Sequence, residues 1–232
     1  MISIRPAAER GHANHGWLDS YHTFSFSSYY DPAHMGISNL RVINDDRIAP
    51  RGGFPTHGHE DMEIVTYVMQ GALEHKDSMG NGSIIRAGDV QHMSAGTGVR
   101  HSEYNPCADA PVHLLQIWLL PNKKGVEPSY AQQHFTDEAR RNRLALLVSP
   151  DGRAGSVRAH QDALLYGTRL NDGSTVAHQP GAGRQTYVHL ARGAARVNGE
   201  LLRDGDAAHI GTGESVRIEG VDGAEALLFD LP

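Results

Sequence analysis

Turn-forming residues punctuate this chain so often that it favours short strands over long helices. Pro50-Arg51-Gly52-Gly53, Met79-Gly80-Asn81-Gly82 and Ala87-Gly88-Asp89 place proline, glycine or asparagine where a backbone reverses cheaply. The runs between are rich in β-branched and aromatic residues, which fit a pleated surface. His22-Thr23-Phe24-Ser25-Phe26 alternates polar with apolar, and residues 40–44 form a similar run closed by Asn44-Asp45-Asp46. Residues 63–69 end at Gln70-Gly71, and the apolar run 112–120 is stopped by Pro121. This spacing predicts an all-β fold, a sandwich or barrel of short antiparallel strands. Only residues 136–143 read as helix, with Thr136 or Asp137 as N-cap. With the polar stretch 121–133 they read as a connector, which predicts two β domains, 1–132 and 133–232.

Composition narrows the function classes. A chain of 232 residues is long enough for one large β domain or two of about 100 residues each. A formal charge of −6 argues against nucleic acid or an anionic membrane as partner. One cysteine, Cys107, excludes an internal disulfide framework and fits a reducing compartment. The amino-terminal segment has no apolar signal region, and no run approaches the roughly 18 apolar residues of a membrane span. A cytoplasmic protein is the expectation.

His57-Gly58-His59 and His101-Ser102-Glu103 carry the chemistry. Side chains at i and i+2 of a strand point to one face, so each pair projects two ligands together. Three neutral imidazoles and a carboxylate suit a divalent transition metal with room left for water or substrate.

An internal echo tests that reading. Thr66-Tyr67-Val68 before Gly71 recurs as Thr186-Tyr187-Val188 before Gly193. Gly88-Asp89 with His92 recurs as Gly205-Asp206 with His209, and Gly96-Thr97-Gly98 as Gly211-Thr212-Gly213. The order suggests a duplicated β unit. The offsets of His57 and His59 lead in the second copy to Ala177 and Gln179, with His178 one residue out of register. Around the counterpart of the second pair only Glu219 is a ligand type. The metal is therefore expected in the N-terminal unit alone.

The residues now form a recognisable pattern. Gly53-Phe54-Pro55-Thr56-His57-Gly58-His59 through Glu63 to Gly71 resembles the first cupin motif, and residues 88–105 resemble the second. The runs 22–26 and 40–46, Gly53-Phe54-Pro55, and a carboxylate two residues after the last histidine are similar to the pirin family, in particular to the bacterial pirin-like quercetin 2,3-dioxygenases. The resemblance is dense over residues 15–120 and thin beyond. It implies a bicupin: two jelly-roll-like β-barrel domains with a short helical connector, one mononuclear metal in the first. It also implies ring-opening of flavonols such as quercetin with O2, to a depside and carbon monoxide. The family's ligands fall on His57, His59, His101 and Glu103, all four of matching type.

Other polar residues receive plainer assignments. Glu63 lies at the spacing at which many cupins use a glutamate ligand, and an unbroken strand would put 57, 59, 61 and 63 on one face. Since pirins use the carboxylate at the Glu103 position, Glu63 is expected behind the ligands or as a buried polar group, and Asp61 as a solvated acid. His92, repeated as His209, suits a framework role; His113 suits a hydrogen-bonded place on its sheet; His22 with Phe24 and Phe26 packs a strand or lines a cavity mouth. Cys107 is expected to be small and buried, with an unperturbed thiol. Lys123-Lys124 reads as solvated linker.

The ligand set admits Fe(II), taken first, or Mn, Co, Ni, Cu or Zn. An ion with open positions can hold a flavonol through its 3-hydroxyl and 4-keto oxygens. Glu103 then doubles as the base for the 3-hydroxyl proton, which makes it the catalytic candidate. The partners implied are a small aromatic substrate and O2, with no nucleic acid and no membrane. The rival reading is a non-catalytic, metal- or redox-dependent regulator of a protein partner.

Overall fold

The computed structural model describes residues 2–232. They divide into two compact units.

Gly11–His134 with Val157–Gln161 form the first unit. Its seven-stranded sheet runs, neighbour to neighbour, Ser129–His134, Asp89–Ser94, Glu63–Gln70, Val112–Leu119, Leu40–Ile48, Leu18–His22 and Gly11–Asn14. Its four-stranded sheet runs Gly53–His59, Val99–Tyr104, Ala72–Asp77 and Gly82–Arg86. All pairings in both sheets are antiparallel. Leu73 and Ile85 of the smaller sheet pack with Leu18, Ile48, Val68, Val112 and Leu114 of the larger, all buried. Burial of this inward set, while alternate residues face away, makes the unit a two-layer β sandwich.

Phe135–Ser156 and Asp162–Pro232 form the second unit together with the strand Ile2–Arg5, which pairs with Ala207–Ile210. The amino-terminal strand therefore belongs to the second unit's sheet and not with the rest of 1–132. That sheet continues through Gln185–Val197, Val216–Leu231, Leu164–Leu170 and Ala145–Ser149. Val188, Leu190, Leu202, Ile210, Ile218 and Leu228 lie in its core.

Two segments differ from the sequence reading. The run at residue 40 does not close at Asn44-Asp45-Asp46, because its strand continues to Ile48. Asn44 pairs with His22 on one side and Gln116 on the other, and Asp46 with Ser20 and Leu114. Ladder hydrogen bonds on both edges outweigh the turn preference of Asn and Asp. The polar stretch expected as linker likewise contains a strand, Ser129–His134, on the edge of the larger sheet. The expected helix shrinks to one turn, Asp137–Arg140, capped by Thr136 Oγ1 accepting from the Ala139 amide at 3.1 Å. It ends because Arg141 is extended and Asn142 adopts φ +54°.

The echo is structural. Gly71 and Gly193 follow the paired Thr-Tyr-Val runs with φ +80° and +77°, a conformation that favours glycine. Asp89 accepts from the Arg86 amide, and Asp206 from the Arg203 amide, both at 2.8 Å, so one turn geometry is built twice. Among the described residues, no helix is long and apolar enough to cross a membrane.

Candidate metal centre

His57 and His59 sit on Gly53–His59, and His101 and Glu103 on the neighbouring Val99–Tyr104. His101 pairs directly with His57, which places the two imidazoles side by side across the ladder. Their ring centres are 4.4 Å apart, and each lies 4.9 Å from that of His59. The ligand nitrogens of the three histidines fall within 4.8 Å of one another. Between His101 and Glu103 the register slips, so that Glu103 pairs with Phe54. Such an irregularity re-aims side chains locally.

Glu103 joins the cluster through His101. With His75 and His101 it forms a second group whose ligand atoms lie within 4.8 Å of one another. Both groups of three ligand-type side chains found among the described residues lie in the first unit, none in the second. His178 of the second unit has its Nε2 2.7 Å from an Asp230 carboxylate oxygen instead.

Hydrogen bonds set the tautomers. His57 Nδ1 lies 2.8 Å from the Pro55 carbonyl oxygen, which can only accept, so Nδ1 carries the proton and Nε2 keeps its lone pair. His101 Nε2 is 3.0 Å from His59 Nε2, and its Nδ1 is 3.4 Å from His75 Nδ1. The far nitrogen of His75, Nε2, is 2.9 Å from an Asp77 carboxylate oxygen. Asp77 is in turn fixed by the backbone amides of Met79 and Asn81 at 2.9 and 3.0 Å. The sequence reading missed His75 and Asp77, although His75-Lys76-Asp77 is one more pair spaced i, i+2 on a strand.

Electrostatics keep the imidazoles ready to ligate. Burial, then the neighbouring His57, holds the pKa of His59 down at about 4. Burial, then His57, His59 and His75, brings that of His101 down to about 3. The Glu103 carboxyl is pushed up to about 7, first by burial and then by the charge of Asp46, against hydrogen bonds from Gln116 and Thr66. Gln116 Nε2 donates to both Glu103 oxygens, at 3.3 and 3.2 Å.

A cavity of about 460 Å³ opens onto this cluster, with His57, His59 and Glu103 in its wall. Trp17, Phe26, Phe54 and Trp118 supply apolar walls. His22 lines it as well, and its ring meets Phe26 edge-on at 5.3 Å.

Glu63 is elsewhere. Its carboxylate receives His92 Nε2 at 2.7 Å, Ser94 Oγ at 2.6 Å and the His160 amide at 2.8 Å, and it is fully buried. The parity that aligned it with His57 and His59 is broken between the two strands, where Asp61 takes φ +47° and starts a turn into the other sheet. His92 thus has a framework partner, and His113 is held by Asp45 at 2.7 Å. Cys107 departs from expectation: it is half-buried, and the backbone amides of Asp109 and Ala110 draw its thiol pKa down.

The chain matches the Pirin family over residues 3–119, and a family described as the quercetinase C-terminal cupin domain over 146–231. It is 50% identical over 232 residues to the quercetin 2,3-dioxygenase of Escherichia coli strain K12, covering 100% of this chain and 99% of that protein. The crystal structure of YhhW from Escherichia coli aligns with a TM-score of 0.96 at 49% identity, covering 100% of this chain and 98% of that one. That of the bacterial pirin YhhW in complex with nickel(II) gives 0.95 at 48% identity, covering 100% and 99%.

Proposed function

The chain belongs to the pirin family, and from that premise we propose that it is a metal-dependent dioxygenase cleaving flavonols such as quercetin with O2, to a depside and carbon monoxide. The observation that carries this reading is the cavity itself, an aromatic-walled chamber whose polar end is His57, His59 and Glu103.

The donor set fits one divalent transition ion held by His57, His59, His101 and Glu103. Two of its imidazoles stay unprotonated well below neutral pH, and the third presents a free Nε2. When bound, such an ion supplies Lewis acidity and a template for the 3-hydroxyl and 4-keto oxygens. The protein does the rest. Phe54 and Trp118 bound the space a flat ring system would occupy. Glu103 accepts the 3-hydroxyl proton on a carboxylate oxygen, and the substrate becomes the electron-rich flavonolate that reacts with O2. Gln116 holds both oxygens of that carboxylate in place. Glu63 has no part in the ligand set.

A metal-dependent regulator is the less favoured reading, since regulation through a surface needs no aromatic-walled cavity leading to the metal. The setting we assign is the cytoplasm, with a flavonol and O2 as partners.

Oxygen uptake with quercetin, after reconstitution with Fe(II) and in parallel with Mn, Co, Ni, Cu and Zn, tests the proposal. Uptake is expected with at least one ion, and no uptake with any would overturn it. Glu103→Gln should lower turnover about 100-fold or more, within the range that general-base catalysis supplies, while most metal content survives. Equal loss of turnover and metal would make Glu103 a ligand only.

A further inference from the structure

Beside Glu103, which Gln116 holds, the larger sheet gives the cavity a polar face. Ser20, Asn44, Asp46 and Gln116 all line it from the larger sheet. The register explains why they converge: Ser20 pairs with Asp46, and Asn44 with both His22 and Gln116. Alternation then sends Asn44 and Asp46 to the same side. Ser20, Asn44 and Asp46 are only 2%, 3% and 3% exposed. Ser20 Oγ donates to Asp46 Oδ1 at 2.5 Å, but Asn44 Oδ1 has no hydrogen-bond partner. A buried acceptor left unpaired is destabilising, and an apolar residue there would avoid that cost. Trp118 Nε1, also on the cavity wall, is a second buried polar atom without a partner.

We infer that Asn44 and Asp46, with Ser20 orienting the latter, form a recognition subsite for aryl hydroxyl groups. It would select polyhydroxylated aromatic ligands over bare ring systems of the same shape. Asn44 Oδ1 and the Asp46 carboxylate present acceptors, so the ligand must bring donors to meet them. It lies in an aromatic-walled chamber, so those donors must sit on a flat ring. The inference rests on reading this cavity as the flavonol-binding site, and it names what the site demands of the substrate besides its metal-facing oxygens. Recognition of this kind discriminates strongly, because a ligand without the hydroxyl leaves the buried acceptors unpaired.

The chain supplies its own probe: both of its tryptophans, Trp17 and Trp118, line the cavity. Anaerobic titration of the metal-loaded protein, followed by tryptophan fluorescence, would compare quercetin with 3-hydroxyflavone, which keeps the metal-facing oxygens and lacks the other hydroxyls. The wild type should bind quercetin at least tenfold more tightly. Asp46→Leu and Asn44→Leu should each weaken quercetin about tenfold and 3-hydroxyflavone less than twofold. Asp46→Asn, which keeps the shape and an acceptor oxygen, should fall between. Unchanged 3-hydroxyflavone binding and metal content would show that the variants are folded. Equal weakening of both ligands, no preference in the wild type, or no saturable quenching with either ligand would overturn the subsite. A wild type that binds with this preference yet consumes no O2 with quercetin would leave the subsite standing and remove the dioxygenase reading. Turnover without preference would do the reverse.

Discussion

His101 uses both of its nitrogens: Nε2 faces His59 in the cluster, and Nδ1 faces His75, whose far nitrogen is held by Asp77. If Nε2 is to keep its lone pair, Nδ1 carries the proton toward His75 and the chain of tautomers ends on the Asp77 carboxylate. Asp77→Asn replaces that acceptor with an amide. It should weaken metal affinity about 10- to 100-fold, as loss of such supports does, in competition with a chromophoric chelator. Unchanged affinity would reduce His75 and Asp77 to packing. Asp46 offers a pH test. Its pKa rises from 3.8 to about 7, chiefly through burial and then the charge of Asp45, against the Ser20 hydrogen bond. A carboxyl whose folded pKa is raised contributes stability below its unfolded value, and that contribution is lost as pH rises through the folded one. Wild-type Tm should therefore lose this contribution between about pH 4 and pH 7. Asp46→Asn cannot titrate, so thermal melts of the metal-free proteins should favour the variant more at pH 8 than at pH 4. A difference independent of pH would show that Asp46 does not titrate in this range.

The pairing of Gly53–His59 with Val99–Tyr104 makes the cluster at the level of elements. Gly53 lies so close to its partner strand that a Cβ would run into the Glu103 carbonyl oxygen and come within 2.6 Å of the Tyr104 Cα. Backbone cannot give way as a side-chain tip can, so Gly53→Ala should part the strands at the Glu103 end. The expected cost is about 1–3 kcal/mol in denaturant unfolding, with a matching loss of bound metal by elemental analysis. Retention of full metal content would show that the strands can separate there without moving Glu103. These two strands were legible because strand periodicity is local: one intervening residue suffices to aim His57 with His59. Glu63 is the buried polar group expected of it, but strand parity does not carry from His59 across Asp61, where a left-handed residue ends one strand and sends the chain into the other sheet. Asp46 was overlooked for the opposite reason. Asn44-Asp45-Asp46 has turn composition, and only neighbours on both sides, supplied by Leu18–His22 and Val112–Leu119, hold it extended.

At the scale of the molecule, the two units share a framework and differ in chemistry. Leu202 is fully buried in the core of the second unit, and both candidate ligand groups lie in the first. Leu202→Ala should cost about 2–5 kcal/mol in denaturant unfolding and leave metal affinity of the folded protein within twofold. A large loss of affinity would tie the ligand-free unit to the metal. The duplication could be read from Gly71 and Gly193, or Asp89 and Asp206, because turn geometry demands particular residues wherever it recurs. The strand Ile2–Arg5 could not be placed that way. Its partner Ala207–Ile210 is remote in sequence, and nothing local in four residues names a partner. The β class, the duplicated turns, the ligand-poor second copy and the spacing of His57, His59, His101 and Glu103 are written in the chain, because all of them depend on near neighbours along it. Folding alone puts His75 and Asp77 behind His101, turns Glu63 away, and brings Asn44 and Asp46 to the cavity wall. Each of those facts depends on which strands lie side by side, and strand pairing is settled by burial and hydrogen bonding across the whole unit.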